Sequence, residues 1–172
     1  MKKLVLVLLI VMFFGCVSPE DQEKIDGATK FVAGIEKFNE NMKILDQEYN
    51  NFENGDLEKM FDNASEDLIW NSPSGDSLSK KEWMEGIRGW HDQFENFKFV
   101  ERDYYPSVDD SIFLPDGGVR AYGKWNFTHK ETGTEFSKIY YSVSKHDDEG
   151  KQVFIYEIFD LGSIFMKLHT CN

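Results

Sequence analysis

The second half of the chain divides into long strand-like runs that are separated by short turns, each of which contains glycine. Runs rich in β-branched and aromatic residues, bounded by Gly, Asp and Asn, are typical of β-strands. Because such short connections join neighbouring antiparallel strands, this spacing predicts an antiparallel meander. The predicted turns are 116–118, 131–133 and 147–150, and the predicted strands are 98–105, a short piece at 112–114, 119–128, 135–145 and 152–160.

The first half of the chain has helical periodicity instead. From Ile25 to Phe52 the apolar residues recur at steps of three and four, which places them on one face of a helix. Gly34 interrupts this run, so we expect either two helices or a bend there. The polar stretch 18–30 is predicted to act as a tether. Gly55 and Asp56 then provide a helix stop and a new helix start, which predicts a short second helix over 57–63 and a strand over 67–70.

A third helix is predicted over 79–97. Ser79 and Glu82 have the spacing of a capping box, and large aromatic residues from Trp83 onward follow at helical intervals. Helices followed by an antiparallel sheet make an α+β domain. A sheet that carries its helices on one face leaves a hollow between them, and Gly123 inside a long strand allows the sheet to bend around it.

The chain begins with the features of an export signal. Lys2 and Lys3 precede an uncharged apolar run over 4–14, which is too short to cross a bilayer. The string that ends in Gly15 and Cys16 resembles a lipobox, in which the cysteine is lipidated and becomes the new N-terminus. We therefore expect a signal peptide over 1–15 and a lipid anchor on Cys16; a plain secretory signal is the alternative. The expected location is the bacterial cell envelope, anchored to a membrane on its periplasmic or outer surface.

Composition limits the partners that the mature chain can have. The formal net charge is -12, which argues against binding to nucleic acid or to anionic lipid headgroups. The two cysteines are Cys16 and Cys171; once Cys16 is acylated, no intrachain disulfide is expected. Aromatic residues make up 15% of the chain, which argues for a thick core or a ring-lined cavity rather than disorder.

The order of these parts resembles the nuclear-transport-factor-two-like (NTF2-like) superfamily, in its SnoaL-like, polyketide-cyclase-type branch. The segments that carry the resemblance are 49–56, 67–70, 79–97, 116–118, 122–125 and 153–160. The resemblance implies a cone-shaped α+β barrel over 41–172, preceded by a tether and an N-terminal helix over 16–40. It also implies a conical pocket between helices and sheet, and a homodimer packed through the outer sheet faces.

Glu157 is the first candidate for chemistry. By strand alternation it shares a face with Ile155 and Phe159, and if that face points into the cone, burial would raise its pKa into a range suited to proton transfer. If the same face is the dimer side, Glu157 would be a paired or rim residue. His91 and Tyr105 are further candidates as base or hydrogen-bond donor, and a boundary role on its helix is the alternative for His91.

The pocket itself is expected to have aromatic walls, although aromatic residues in strands are also ordinary core residues. Asp160 is expected either at the cavity mouth or as the cap of the following turn. The sequence contains no metal-ligand spacing, phosphate loop or catalytic triad, so we expect no metal and no cofactor. The candidate lining residues are Trp70, Trp90, Trp125, Tyr141, Phe159 and Asp160.

The sequence leaves three functions open. The first is a binding domain that holds a small apolar ligand or a partner in the cone. The second is an isomerase, cyclase or hydratase-like enzyme that uses a buried carboxylate, for which an unpaired carboxylate in the pocket would argue. The third is a structural subunit whose cone is filled by its own side chains. The fold alone does not choose among them.

Overall fold

The structure, a computed structural model, describes residues 18–170, and at 170 only the backbone. The predicted leader, Cys16 and Cys171 lie outside the described residues. No helix within the described range is long and apolar enough to cross a membrane. The helices are α1 (Pro19–Asn54), α2 (Leu57–Phe61), α3 (Lys80–Gln93) and α4 (Leu161–Thr170). The strands are β1 (Ala64–Asn71), β2 (Ser77–Ser79), β3 (Phe94–Val108), β4 (Pro115–His129), β5 (Glu135–His146) and β6 (Gln152–Ile158).

Helix α1 is continuous, so the predicted break at Gly34 is wrong. Its backbone N-terminus is capped by Ser18, and Gly55 ends it in a left-handed conformation with a φ of 74°. Gly34 is buried because the helix lies against Pro115: an added Cβ would stand 2.0 Å from the Pro115 carbonyl oxygen. The glycine therefore permits close packing of α1 against Pro115. The predicted tether over 18–30 is also helical from Pro19 onward, with mostly exposed side chains.

Helix α3 begins where the sequence predicted, with the capping box of Ser79 and Glu82 complete. It ends at Gln93 instead of continuing to Phe97. Phe94 is already extended, with φ -125° and ψ 162°, and opens strand β3. Phe94 and Phe97 are both buried, so their aromatic rings enter the core from a strand and not from a helix face. Helix α2 likewise ends two residues before the predicted boundary, at Phe61.

The six strands form one sheet in the order β2-β1-β6-β5-β4-β3. The predicted meander is present: β3, β4, β5 and β6 are antiparallel neighbours. Strand β1 pairs in parallel with β6 and antiparallel with β2, which the sequence did not predict. The predicted short strand at 112–114 is wrong, because this segment belongs to the loop between β3 and β4. The C-terminal helix α4 was not predicted either.

The sheet curves around the helices through irregularities in β3. The pairing of β3 with β4 shifts at three points, and Asn96 and Glu101 adopt positive φ values of 58° and 54° at two of these bulges. Gly123 allows close approach rather than bending alone, since a Cβ there would lie 2.5 Å from the ring of Phe99. The helices cover one face of the curved sheet, and the result is the α+β cone that the sequence resemblance predicted.

Candidate functional site

A cavity of about 310 Å³, partly open to solvent, lies between the inner face of the sheet and helices α1, α2 and α3. Strands β1, β4, β5 and β6 supply its floor, the loop 72–76 forms one side, and Leu161 at the start of α4 lines one end. Its volume is at the small end of the range for ligand-binding pockets in proteins. The side chains of the protein therefore leave the cone partly empty.

Aromatic side chains make up nearly half of the residues that line the cavity. Trp70, Trp90, Trp125 and Phe159, four of the residues predicted to line a pocket, all face it. The rings brace one another: Trp90 lies 5.6 Å from Phe159 and Trp125 lies 5.0 Å from Phe52, centroid to centroid. Edge contacts of this kind fix ring positions, so the wall is preorganised for an apolar guest.

Glu157 places a carboxylate in this apolar wall. Strand β6 turns it toward the helices, and the indole Nε1 of Trp70 donates to its Oε2 at 2.7 Å. The hydroxyl of Tyr140 donates to Oε1 at 2.6 Å. Burial raises the pKa of Glu157, and the hydrogen bonds from Tyr140 and Trp70 oppose that rise. The sequence left open whether Glu157 points into the cone or toward the outer, dimer side of the sheet. In the structure it points into the cone.

A line of buried hydroxyl groups continues from Glu157 into the core. Tyr140, which is not among the predicted site residues, is buried, and burial raises the pKa of its hydroxyl well above the ordinary value. The ring of Tyr49 lies 6.0 Å from that of Tyr140, and its hydroxyl is 2.8 Å from the hydroxyl of Ser142. Tyr140 therefore remains a neutral donor, and it orients the carboxylate.

The chemical capacity of this arrangement follows from the carboxylate. Each oxygen of Glu157 already accepts one hydrogen bond, and a carboxylate has about four lone-pair sites in all. About two lone-pair sites of Glu157 therefore remain to accept a donor from a molecule in the cavity, or to take a proton from it. Lys138, which lines the same cavity from β5, is the one cation among the cavity-lining residues of the described chain.

Two of the predicted site residues lie on the wrong face of the sheet. Tyr105 is 50% exposed and contacts the ring of Tyr122 on the outer face. Tyr141 also packs against the ring of Tyr122 and is not among the residues that line the cavity. The bulge at Glu101 shifts the alternation of side chains along β3, and this places Tyr105 on the outer face. On β5 the neighbouring residue Tyr140 points into the cavity, so Tyr141 points outward.

Two further candidates lie outside the cavity for other reasons. His91 sits on α3 with its ring 4.6 Å from Phe52 and 4.7 Å from Phe97, and burial lowers its pKa. It is therefore a packing residue at the edge of the core, which was the alternative for this position. Asp160 is exposed, and its Oδ1 accepts a hydrogen bond of 3.0 Å from the backbone of Ser163, so it caps α4.

A second buried carboxylate, Glu48, lies apart from the cavity on α1. It is 3% exposed, and its Oε1 accepts a hydrogen bond of 2.8 Å from the amide of Asn63. Burial raises its pKa to about 8, so it is mainly protonated at neutral pH. Neither the helical pattern nor the composition distinguished Glu48 from the exposed glutamates of the same helix.

No group of three or more metal-ligating side chains occurs among residues 18–170. No known family model matches the sequence, and no curated protein matches it. Solved structures do match the fold. A protein assigned as a SnoaL-like polyketide cyclase from Shewanella denitrificans superposes with a TM-score of 0.61 at 8% identity, covering 76% of this chain and 97% of that one.

Two other solved structures give the same result. A protein assigned as an isomerase from Bacillus subtilis has a TM-score of 0.61 at 18% identity, covering 72% of this chain and 88% of its own. An NTF2-like protein from Burkholderia thailandensis has a TM-score of 0.56 at 19% identity, covering 74% and 96%. At such identities the similarity concerns the fold. The chain therefore has the cone-shaped fold of the NTF2-like, SnoaL-like proteins, as the resemblance in its sequence predicted.

Proposed function

We propose that this protein binds a small, mainly apolar molecule in its conical cavity, with Glu157 accepting a hydrogen bond from a polar group of that molecule. The observation that carries the proposal is a cavity of about 310 Å³, rich in aromatic side chains, whose wall contains a half-buried carboxylate held by two hydrogen bonds. Apolar walls with a few placed polar groups are typical of small-molecule sites. A cone filled by its own side chains would leave no such space.

An isomerase, cyclase or hydratase-like reaction is the second candidate. The raised pKa of Glu157 supports it, because burial makes this carboxylate a stronger base than an exposed one, as a proton acceptor in catalysis requires. Two of the matched proteins are assigned as a polyketide cyclase and an isomerase. However, both oxygens of Glu157 already accept hydrogen bonds from the protein, so the carboxylate is not unpaired. Binding therefore remains the first proposal.

Native mass spectrometry tests the binding proposal. The protein from residue 16 onward, with Cys16→Ser, is purified from an extract of its own host. We expect a discrete additional mass that is lost on denaturation. The matched variant Leu78→Trp, which fills the cavity, should lack that mass, whereas Leu57→Trp, at a half-buried residue outside the cavity, should retain it. An additional mass that persists in Leu78→Trp would refute the proposed site.

Glu157→Gln separates binding from catalysis. The amide keeps the size of the side chain and removes its ability to take a proton. If the protein only binds, the variant should retain the bound mass with at most a moderate loss of affinity. If it catalyses proton transfer, turnover of a bound ketone or enone substrate should fall by a factor on the order of a hundred or more, as expected for loss of a general base.

We further propose that a lipid on Cys16 anchors the protein in the bacterial cell envelope. The basic, apolar and cysteine-terminated leader of the sequence supports this proposal. Acyl chains give stable attachment without a spanning helix. Mass spectrometry of the N-terminal peptide should find a diacylated Cys16 in wild type, and Cys16→Ser should move the protein from the membrane to the soluble fraction.

We also propose that the protein forms a homodimer through the outer face of its sheet. Ile139 is 76% exposed and Ile158 is 48% exposed on this face, beside the partly exposed ring of Tyr122. An exposed apolar patch of this kind favours association. Analytical ultracentrifugation should find a dimer in wild type and a monomer for Ile139→Glu. Thr29→Glu, at an exposed position of α1, is the matched control and should remain dimeric.

A further inference from the structure

Lys138 is an unusual residue for the wall of an apolar cavity. It lies on the inner face of β5, two residues before Tyr140 and directly opposite Trp125 in the sheet register. Its side chain is only 17% exposed. Lysine is seldom buried without a partner, because taking an ammonium group out of water is costly.

The protein itself compensates this charge only weakly. The Lys138 ammonium donates to the neutral hydroxyl of Ser163, and the carboxylate of Asp160 stands 3.9 Å away and is 68% exposed. An ammonium has three donors, so the hydroxyl of Ser163 satisfies only one of them. Attachment of α4 through Ser163 needs a donor but not a charge, and a neutral residue could supply it. The charge therefore points to a role inside the cavity.

Glu157 is not the partner of the Lys138 ammonium. Its two oxygens accept from Trp70 and Tyr140, and no ion pair among the described residues joins Lys138 to Glu157. The other carboxylate at the cavity, Glu82, is held by Ser79 in the capping box of α3. The cavity thus has a cationic group near α4 and a separate acceptor on β6, and aromatic rings are among its other lining residues.

We infer that the ligand is an amphipathic anion: an apolar, ring- or chain-containing molecule whose carboxylate or comparable acidic group pairs with Lys138. This inference rests on the proposed binding function and specifies its ligand class. An anionic group gains a charge-assisted hydrogen bond from the donors of Lys138 that Ser163 does not use, and such bonds are stronger than neutral ones. Because the protein carries a net charge of -12, an anion is accepted only where a cation compensates it locally.

Two fluorescent probes that differ in one charge test this inference. 1-Anilinonaphthalene-8-sulfonate is anionic, and N-phenyl-1-naphthylamine has the same ring system without the sulfonate. We expect wild type to bind the anionic probe more tightly than the neutral one. Lys138→Met, which keeps the apolar stem, should weaken binding of the anionic probe by about tenfold to a hundredfold and leave the neutral probe within about twofold. Lys138→Arg should retain the preference for the anion.

Three controls keep the outcomes separate. Ser163→Ala removes the neutral partner of Lys138 but not its charge, so the preference for the anion should persist. Leu78→Trp should abolish binding of both probes at the cavity and identifies binding elsewhere on the surface. Thermal melting confirms that each variant is folded.

The possible results distinguish this inference from the function on which it rests. If wild type binds neither probe in the cavity, the proposed binding function fails. If the neutral probe binds and Lys138→Met weakens both probes equally, or weakens neither, the function stands and the assignment of an anionic ligand is refuted. A selective loss of the anionic probe supports both.

Discussion

Replacing Glu48 by glutamine should stabilise the protein, and increasingly so as the pH rises. Glu48 is buried on α1, and burial raises its pKa from the ordinary 4.5 to about 8. The unfolded chain releases this proton near pH 4.5, whereas the folded protein retains it until about pH 8. Glu48 therefore contributes most favourably below pH 4.5, and its contribution falls as the pH rises through the folded pKa.

The size of the effect follows from the same difference. One pKa unit corresponds to about 1.4 kcal/mol, so by pH 7 Glu48 has lowered the free energy of unfolding by about 3 kcal/mol, and above pH 8 by about 4 to 5 kcal/mol. Glutamine has no proton to release. Its carbonyl can still accept the hydrogen bond from Asn63, and its amide resembles the protonated acid. Glu48→Gln should therefore remove this loss.

Urea unfolding followed by tryptophan fluorescence at pH 4.5, 7 and 8.5 measures the effect. Wild type and Glu48→Gln should be nearly equal at pH 4.5, and the variant should be more stable by about 3 kcal/mol at pH 7. Glu40→Gln, at an exposed position of the same helix, is the matched control and should change stability by less than about 0.5 kcal/mol at any pH. A stability difference for Glu48→Gln that does not depend on pH would refute the reasoning.

Three further changes test the packing and the site. Gly34→Ala should destabilise the protein by about 1 to 3 kcal/mol, measured by urea unfolding, because its Cβ would meet the Pro115 carbonyl. Arg102→Met should cost about 2 to 4 kcal/mol by the same assay, since it leaves Asp46 and Glu53 without their shared cation; an unchanged midpoint would contradict either expectation. Trp70→Phe should raise the pKa of Glu157 further in a carboxyl NMR titration, because one opposing donor is lost.

Local signals in the sequence were sufficient for much of the fold. The Ser79–Glu82 capping box and the glycine-containing turns each depend on residues close together in the chain, and the structure contains them. The parallel pairing of β1 with β6 joins segments far apart in sequence, and no local pattern encodes it. Helix α4 was not predicted, although its residue Ile164 is fully buried in the core.

The site was only partly predictable for a geometric reason. Alternation along β6 placed Glu157 with Ile155, and the register confirms the shared face, but alternation cannot say which of two faces is internal. For β5 the same ambiguity left open whether Tyr140 or Tyr141 lines the cavity. Residues 136, 138 and 140 share the inner face of β5. Once Phe136 is known to point inward, strand alternation therefore predicts that Lys138 and Tyr140, neither of which was predicted from the sequence, point inward as well, and both line the cavity.

The most direct test of a ligand-binding cone is an experimental structure of the protein purified from its own host. We expect electron density for a non-protein molecule in the cavity, packed on Trp125, with a polar atom within hydrogen-bonding distance of Glu157. If the cavity is instead closed by the side chains around it, or contains only water, the cone does not hold a ligand and the proposed function is wrong.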